Sequence, residues 1–136
     1  MSERVLEGGC QCGAIRYRLR GEPVFAAVCH CQMCRRAHAA PSVAWAMFAE
    51  DQVQFHGEPL KQYRSSAEAQ RGFCAQCGTQ LSFSASFLPG LIDVAIGSLD
   101  DAAKIQPQLH YWCASKLPWV AIGDDWPQHA ELPPFE

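Results

Sequence analysis

Short runs of alternating apolar and polar residues recur along the chain and indicate β-strands rather than helices. The clearest run covers residues 15–20, where Ile15, Tyr17 and Leu19 alternate with three arginines. A repeat of two residues places the apolar side chains on one face of a strand and the arginines on the other. We therefore predict a strand with one buried face, and we interpret the arginine row as a solvated surface rather than a binding patch.

Four further segments have the composition of strands and are bounded by Gly, Pro or Asp residues. They are residues 43–48, 53–55, 80–83 and 92–96. The segment 43–48 (VAWAMF) contains no polar residue, so we expect it to be more buried than the others. Residues 111–113 also resemble a strand.

Helical signals are few. One or two turns are predicted between Gln32 and Ala40, and a second short helix after Ser98, whose hydroxyl is typical of a helix N-cap. The Pro-rich end, from about residue 124 to 136, is predicted to be a tail on the surface. Together these patterns predict a single mainly β domain over residues 1–136, with its core at about 6–120 and only short helical turns.

Composition and charge exclude several classes of protein. The 136 residues are 49% hydrophobic and 18% charged, as in an ordinary globular domain. The net charge of −3 disfavours a nucleic-acid partner, and no apolar run approaches the roughly 20 residues of a membrane span. The first residues, MSERVLEGG, lack the apolar stretch of a secretory signal, so we expect a cytoplasmic protein. Eight cysteines in a reducing compartment indicate metal binding or catalysis before disulfides.

Seven of the eight cysteines fall into three clusters, and Cys113 stands alone. Two of the clusters are pairs, and tight loops of this kind direct both sulfurs toward one point. Two pairs supply the four thiolates of a closed, tetrahedral structural zinc site. The predicted structural ligands are Cys10, Cys12, Cys74 and Cys77.

The third cluster, Cys29, Cys31 and Cys34, supplies three ligands, and three protein ligands with one exchangeable position are typical of catalytic zinc. Zinc with three thiolates carries a net charge of −1, which makes it a poor activator of water and a better partner for a soft ligand. A thiol bound there would be held as a thiolate at neutral pH and could add to an aldehyde. His30 is a poor fourth ligand, because its side chain should point away from its neighbours. We interpret Cys113 as a core residue, although it would close the site if it reached the metal.

Five segments resemble, in this order, the glutathione-dependent formaldehyde-activating enzyme family, which includes the centromere protein V domain. These segments are GGCQCGAIRY, CHCQMCRRA, FCAQCGTQL, IGSLDD and HYWCASKLPW, and they span roughly residues 6–120. The resemblance implies a zinc-stapled β-tent fold and two zinc ions per chain. It assigns Cys10, Cys12, Cys74 and Cys77 to the structural zinc and Cys29, Cys31 and Cys34 to the catalytic zinc. The implied activity is that of a carbon–sulfur lyase, which joins glutathione to formaldehyde and gives S-hydroxymethylglutathione.

The chain departs from the family pattern at two places. His38-Ala39 stands where the family commonly has Ser or Thr followed by Gly, and a cysteine is not expected at position 113. Because glutathione carries two carboxylates, cations near the cluster are candidate substrate-binding residues. These candidates are Arg35, Arg36 and Arg71. The alternatives are a non-catalytic zinc module that binds a protein and a thiol redox protein; the oligomeric state stays open.

Overall fold

A computed structural model describes residues 3–132 of the chain, and the part described is mainly β-structure with one α-helix. Four 3-10 helices lie at Glu50–Gln52, Ile96–Ser98, Ala102–Lys104 and Cys113–Ser115. The α-helix is α1 (Gln32–His38). The strands are β1 (Val5–Gly9), β2 (Ile15–Arg20), β3 (Phe25–Cys29), β4 (Val43–Ala49), β5 (Val53–Gly57), β6 (Lys61–Arg64), β7 (Ala69–Phe73), β8 (Gln80–Ala85), β9 (Leu91–Ala95) and β10 (Leu109–Tyr111).

The strands form two sheets. The small sheet has the order β1-β2-β5, and the large sheet has the order β10-β3-β4-β9-β8-β7-β6. Neighbouring strands are antiparallel except β10, which runs parallel to β3. The expected mainly β single domain is therefore confirmed.

The core lies between the two sheets. Ile15, Tyr17 and Leu19 of β2 have no exposed surface, and they belong to the same buried cluster as Phe48 of β4 and Val94 of β9. Burying each large apolar side chain contributes roughly 1.5–3 kcal/mol, so this layer supplies much of the free energy of folding. The alternation predicted for residues 15–20 is confirmed.

The three arginines on the opposite face of β2 each lie near an acidic side chain. Ion pairs this exposed contribute little to stability, so the arginine row is a solvated face, as expected. The pairs are Arg16–Asp100, Arg18–Glu7 and Arg20–Glu3.

All five strands predicted between residues 15 and 96 are present, with ends shifted by a few residues. A short 3-10 helix does follow Ser98, at Ala102–Lys104, but the predicted Ser98 cap and the strand predicted at 111–113 are wrong. The Ser98 hydroxyl donates to the carbonyl of Ala95 and also contacts the Tyr17 hydroxyl, so it does not cap a following helix. The strand expected at 111–113 ends at Tyr111, because Trp112 has a left-handed backbone with φ of 57°. That turn carries Cys113 off the sheet, where it is partly exposed rather than a core residue.

The segment from residue 124 to 132 lies along β10 and the turn that follows it. The His110 amide donates to the Pro127 carbonyl, and the His129 amide donates to the His110 carbonyl. Backbone amides at 112, 113 and 114 donate to carbonyls at 131, 129 and 130. The predicted tail is thus hydrogen-bonded to the edge of the large sheet and the turn after it as far as Glu131, and residues 133–136 lie outside the described part.

Between residues 3 and 132, no helix has the length and apolar composition of a membrane span. The helix predicted near Gln32 is confirmed as α1, with Cys31 as its N-cap. The helix ends at His38, and the next residue, Ala39, has a left-handed φ of 49°. Glycine is the usual residue at such a position, because it has no Cβ to clash there.

We expect Ala39→Gly to stabilise the protein by about 0.5–1 kcal/mol. Glycine relieves the strain of the left-handed conformation, and this gain is larger than the cost of the greater conformational entropy that glycine gives the unfolded chain. Ala37→Gly, two residues earlier and inside the helix, is the matched control and should destabilise by about 1 kcal/mol. Urea denaturation of both variants measures the difference, and a loss of stability in Ala39→Gly would contradict the prediction.

Candidate metal centres and an adjoining cavity

Four cysteine sulfurs from two distant loops come together beside the small sheet. The sulfurs of Cys10, Cys12, Cys74 and Cys77 all lie within 4.8 Å of one another. The Sγ atoms of Cys10 and Cys12 are 3.6 Å apart, and those of Cys12 and Cys74 are 3.8 Å apart. All four are free thiols.

These distances fit a tetrahedral metal. A Zn–S bond of about 2.3 Å places the sulfurs of a tetrahedral site about 3.8 Å apart, whereas a disulfide would place two of them about 2 Å apart. The four-cysteine cluster could therefore hold a metal ion such as zinc.

The local backbone directs the sulfurs of this cluster inward. Cys10 and Cys12 lie in the turn between β1 and β2, and the Ile15 amide donates to the Cys10 sulfur over 3.2 Å. Cys74 and Cys77 form a tight loop directly after β7, where the amides of Gln76 and Cys77 approach the Cys74 sulfur at 3.4 and 3.5 Å. Amide donors of this kind stabilise thiolate ligands and fix their direction.

The second cluster lies where β3 passes into α1. The sulfurs of Cys29, Cys31 and Cys34 are all within 4.8 Å of one another. Cys29 and Cys34 are buried, and Cys31 is partly exposed. The Cys34 amide donates to the Cys31 sulfur over 3.3 Å. Among the three thiols, hydrogen bonding chiefly with Cys29 lowers the pKa of Cys31, and the same contact raises the pKa of Cys29. Three thiol donors at this spacing also fit a metal such as zinc.

A buried arginine stands beside the second cluster. Arg71 of β7 is only 4% exposed, and its Nη2 lies 3.7 Å from the Cys34 sulfur. Its guanidinium carbon is 5.0 Å from the centre of the Phe83 ring, and its Nη1 is buried without a hydrogen-bond partner. A charge buried this deeply requires compensation. A thiolate at Cys34, which is in contact with the guanidinium, would provide it, and Asp93 also interacts with Arg71.

The three-cysteine cluster opens into a cavity of about 620 Å³. Strand register brings five side chains that line the cavity into one row across the large sheet. Each residue of the row pairs with the next, in the order Arg71, Phe83, Asp93, Met47, Phe25. These residues lie on the face of the sheet opposite the main core. The large sheet therefore packs against the small sheet on one face and forms the cavity on the other.

Two ionisable oxygen groups line this cavity near the cluster. Burial raises the pKa of Asp93 to about 7, an effect that Arg71 partly opposes. Burial likewise raises the pKa of Tyr111, and its hydroxyl interacts with Cys29. At neutral pH Tyr111 is therefore protonated, whereas Asp93 is close to its pKa and is present in both the protonated and the ionised form.

A chain of two histidines and an aspartate connects the loop of the second cluster to the C-terminal segment. His30 Nε2 is 3.0 Å from His110 Nδ1, and His110 Nε2 is 2.9 Å from the nearer carboxylate oxygen of Asp124. The His110 ring also stacks on Trp126. His30 thus points away from the cysteines on either side of it, as expected, and anchors their loop.

The structure separates the predicted substrate-binding cations. Arg71 lines the cavity, whereas Arg35 and Arg36 do not. Cys113 is not among the cysteines whose sulfurs approach one another, and its amide donates to the His129 carbonyl. Asp93, Tyr111 and the histidine pair were not predicted, because their roles arise from pairing between strands far apart in the sequence.

Comparison with known proteins places the chain in a family. The profile of the glutathione-dependent formaldehyde-activating enzyme family matches residues 5–115, so the chain belongs to that family. A Halomonas elongata protein, provisionally named as a glutathione-dependent formaldehyde-activating enzyme, is 27% identical over 127 residues, which are 87% of this chain and 81% of that protein.

An uncharacterized lyase of Schizosaccharomyces pombe is 36% identical over 77 residues, which are 57% of this chain. That match spans 56% of the relative's own length. The crystal structure of a Rhodobacter sphaeroides protein superposes with a TM-score of 0.60 at 23% identity, and the match covers 75% of this chain and 92% of that one. This likeness supports the fold.

The raised pKa of Asp93 predicts a pH-dependent stability. The folded protein binds a proton at Asp93 more tightly than the unfolded chain, whose pKa is near 3.8. This contribution is fully present below pH 3.8 and is lost as the pH rises to about 7. Relative to Asp93→Asn, the free energy of unfolding of the wild type should therefore fall by up to about 1.4 kcal/mol per pH unit in that range.

Urea denaturation of both proteins between pH 5 and 8 measures this difference. Both proteins contain the same cysteines, so pH effects linked to metal binding cancel in the comparison. Asp125→Asn, at an exposed carboxylate, controls for the substitution itself. A difference that is constant with pH would contradict the assigned titration.

Proposed function

We propose that the protein is a zinc-dependent enzyme of the carbon–sulfur lyase type that joins a thiol, such as glutathione, to a small aldehyde, such as formaldehyde. One observation carries this proposal: the three-cysteine cluster opens into the 620 Å³ cavity, whereas the four-cysteine cluster does not line it. Family membership and the names of the relatives support the same class of reaction.

Two zinc ions per chain fit the two clusters. Cys10, Cys12, Cys74 and Cys77 would hold a closed structural ion. A second ion held by Cys29, Cys31 and Cys34 would accept a substrate thiol as its fourth ligand and keep it ionised at neutral pH.

The reaction is an addition in which nothing is oxidised or reduced. A carbon–sulfur bond forms between the thiol and the carbonyl carbon, and the carbon–oxygen double bond becomes single. The sulfur loses one proton and the carbonyl oxygen gains one. Asp93 is a cavity-lining group that can accept and return a proton near pH 7. Arg71 would balance the net −1 charge of three thiolates and a divalent ion, because its guanidinium lies against Cys34.

A non-catalytic zinc module is the main alternative, and it requires a fourth protein ligand at the second cluster. Cys113 is the candidate for that ligand. Its position outside the group of close sulfurs favours the enzyme, as does the cavity beside the cluster. A thiol redox protein is the other alternative, in which Cys29–Cys34 would cycle through a disulfide.

Cobalt substitution tests whether the second site accepts a thiol. Thiolate-to-cobalt charge-transfer bands report each added sulfur, so adding the small thiol 2-mercaptoethanol should intensify them. Cys113→Ala should respond like the wild type. Affinity should rise with pH until the free thiol ionises near pH 8.5, because binding releases the thiol proton. A spectrum that shows four sulfurs at this site before any thiol is added, and loses one in Cys113→Ala, would establish the closed module instead.

The two clusters should differ in their effect on folding. Cys74 is fully buried and joins two distant loops, so Cys74→Ser should unfold the protein cooperatively or make it insoluble, because structural zinc binding contributes directly to folding. Cys34→Ser should stay folded and lose mainly one zinc ion. Circular dichroism and metal analysis of both variants make the comparison, and equal unfolding would contradict the division into structural and catalytic sites.

A further inference from the structure

We infer that one of the two reactants carries an apolar group of at least a butyl chain or an aromatic ring. This inference rests on the proposed function and specifies its substrate class. The apolar group can be attached to the thiol or to the aldehyde; in both cases it would contact the same apolar walls of the cavity.

Large apolar side chains form most of the cavity wall, and they reach from the cluster to the far edge of the row across the sheet. Trp45 is 3% exposed and Met47 is 8% exposed, so both are fixed by the fold. Phe87, by contrast, is 57% exposed, so its wall of the cavity faces solvent. The principal apolar wall residues are Phe25, Trp45, Met47, Phe83, Phe87 and Trp112.

The charges at the cavity do not suit glutathione, which carries two carboxylates and an ammonium group. Among the described residues that line it, Arg71 and Asp93 are the charged ones. The Arg71 guanidinium is already engaged by Cys34 and the Phe83 ring, and its unpartnered Nη1 is buried rather than exposed to a ligand. Two carboxylates placed here would lose water without gaining a free cation.

The size of the cavity supports the same conclusion. A volume of about 620 Å³ lies within the range of about 300–1,000 Å³ found for sites that enclose drug-sized ligands. Formaldehyde has only two non-hydrogen atoms, so most of the space is left for the other reactant or for a larger aldehyde. An apolar body would displace water from these walls and would be favoured by the hydrophobic effect.

Two homologous series test the inference and separate its two sources. In one arm, ethanethiol, 1-butanethiol and 1-pentanethiol react with formaldehyde; these thiols differ little in intrinsic reactivity. In the other arm, propanal, pentanal and hexanal react with 2-mercaptoethanol. In at least one arm kcat/KM should rise about fourfold per methylene, the factor that corresponds to 0.8 kcal/mol per buried CH₂.

A matched pair of variants locates the effect. Phe87→Ser removes an exposed wall residue and should reduce the gain in kcat/KM from ethanethiol to 1-pentanethiol severalfold. Val24→Ser is the control, because Val24 is similarly exposed at 60% but does not line the cavity. It should show the wild-type dependence on chain length.

Flat profiles in both arms, or a kcat/KM for glutathione with formaldehyde tenfold above that of every apolar pair, would overturn the inference. If kcat/KM does not depend on chain length in either arm, and the wild type is a dimer that dissociates in Phe87→Ser, then the apolar wall is an interface with a second copy of the chain. If no pair reacts, the proposed function fails, and calorimetry decides the inference separately. Binding of 1-pentanethiol at least tenfold tighter than ethanethiol, or of hexanal at least tenfold tighter than propanal, would support it, and equal binding within both pairs would overturn it.

Discussion

The convergence of four sulfurs from two loops is the constraint on which the arrangement of both sheets depends. Cys12 and Cys74 are separated by 62 positions in the chain, yet their sulfurs are 3.8 Å apart. This contact attaches the β1–β2 turn of the small sheet to the end of β7 in the large sheet. Because Cys74 directly follows β7, fixing its position also fixes the strand that carries Arg71. The four-cysteine cluster therefore helps to position Arg71, which, within residues 3–132, is the buried cation that contacts the three-cysteine cluster.

The large sheet has two apolar faces with different roles. One face packs against Tyr17 and its neighbours and forms the core. The other carries Trp45 and Phe83 toward the cavity, where buried charges from Arg71 and Asp93 interrupt the apolar surface. Buried charged groups reduce stability unless they are paired. Their presence here, beside three thiols, supports the proposal that this face holds the reactive site.

Sequence periodicity predicted the strands that alternate or are uniformly apolar, such as β2 and β4, and the cysteine spacing predicted both clusters. Of the strands it missed, β6 and β7 lack those patterns, whereas β3 (FAAVC) is uniformly apolar and fits them. All residues of β6 are exposed, so no face of it is apolar. In β7 the buried positions include Arg71 and Gly72, which read as polar or turn residues. Arg71 was a candidate because it precedes Cys74, but its contact with Cys34 depends on the sheet, and Asp93 enters the cavity only through its register with Phe83. Such groupings cannot be derived from spacing along one chain.

Native mass spectrometry tests most directly the proposed pair of zinc sites, one closed and one open. Protein purified under reducing conditions with zinc supplied should carry two zinc ions per chain, with all eight cysteines reduced. One zinc ion per chain, together with a disulfide among Cys29, Cys31 and Cys34, would contradict the proposal and favour thiol redox chemistry.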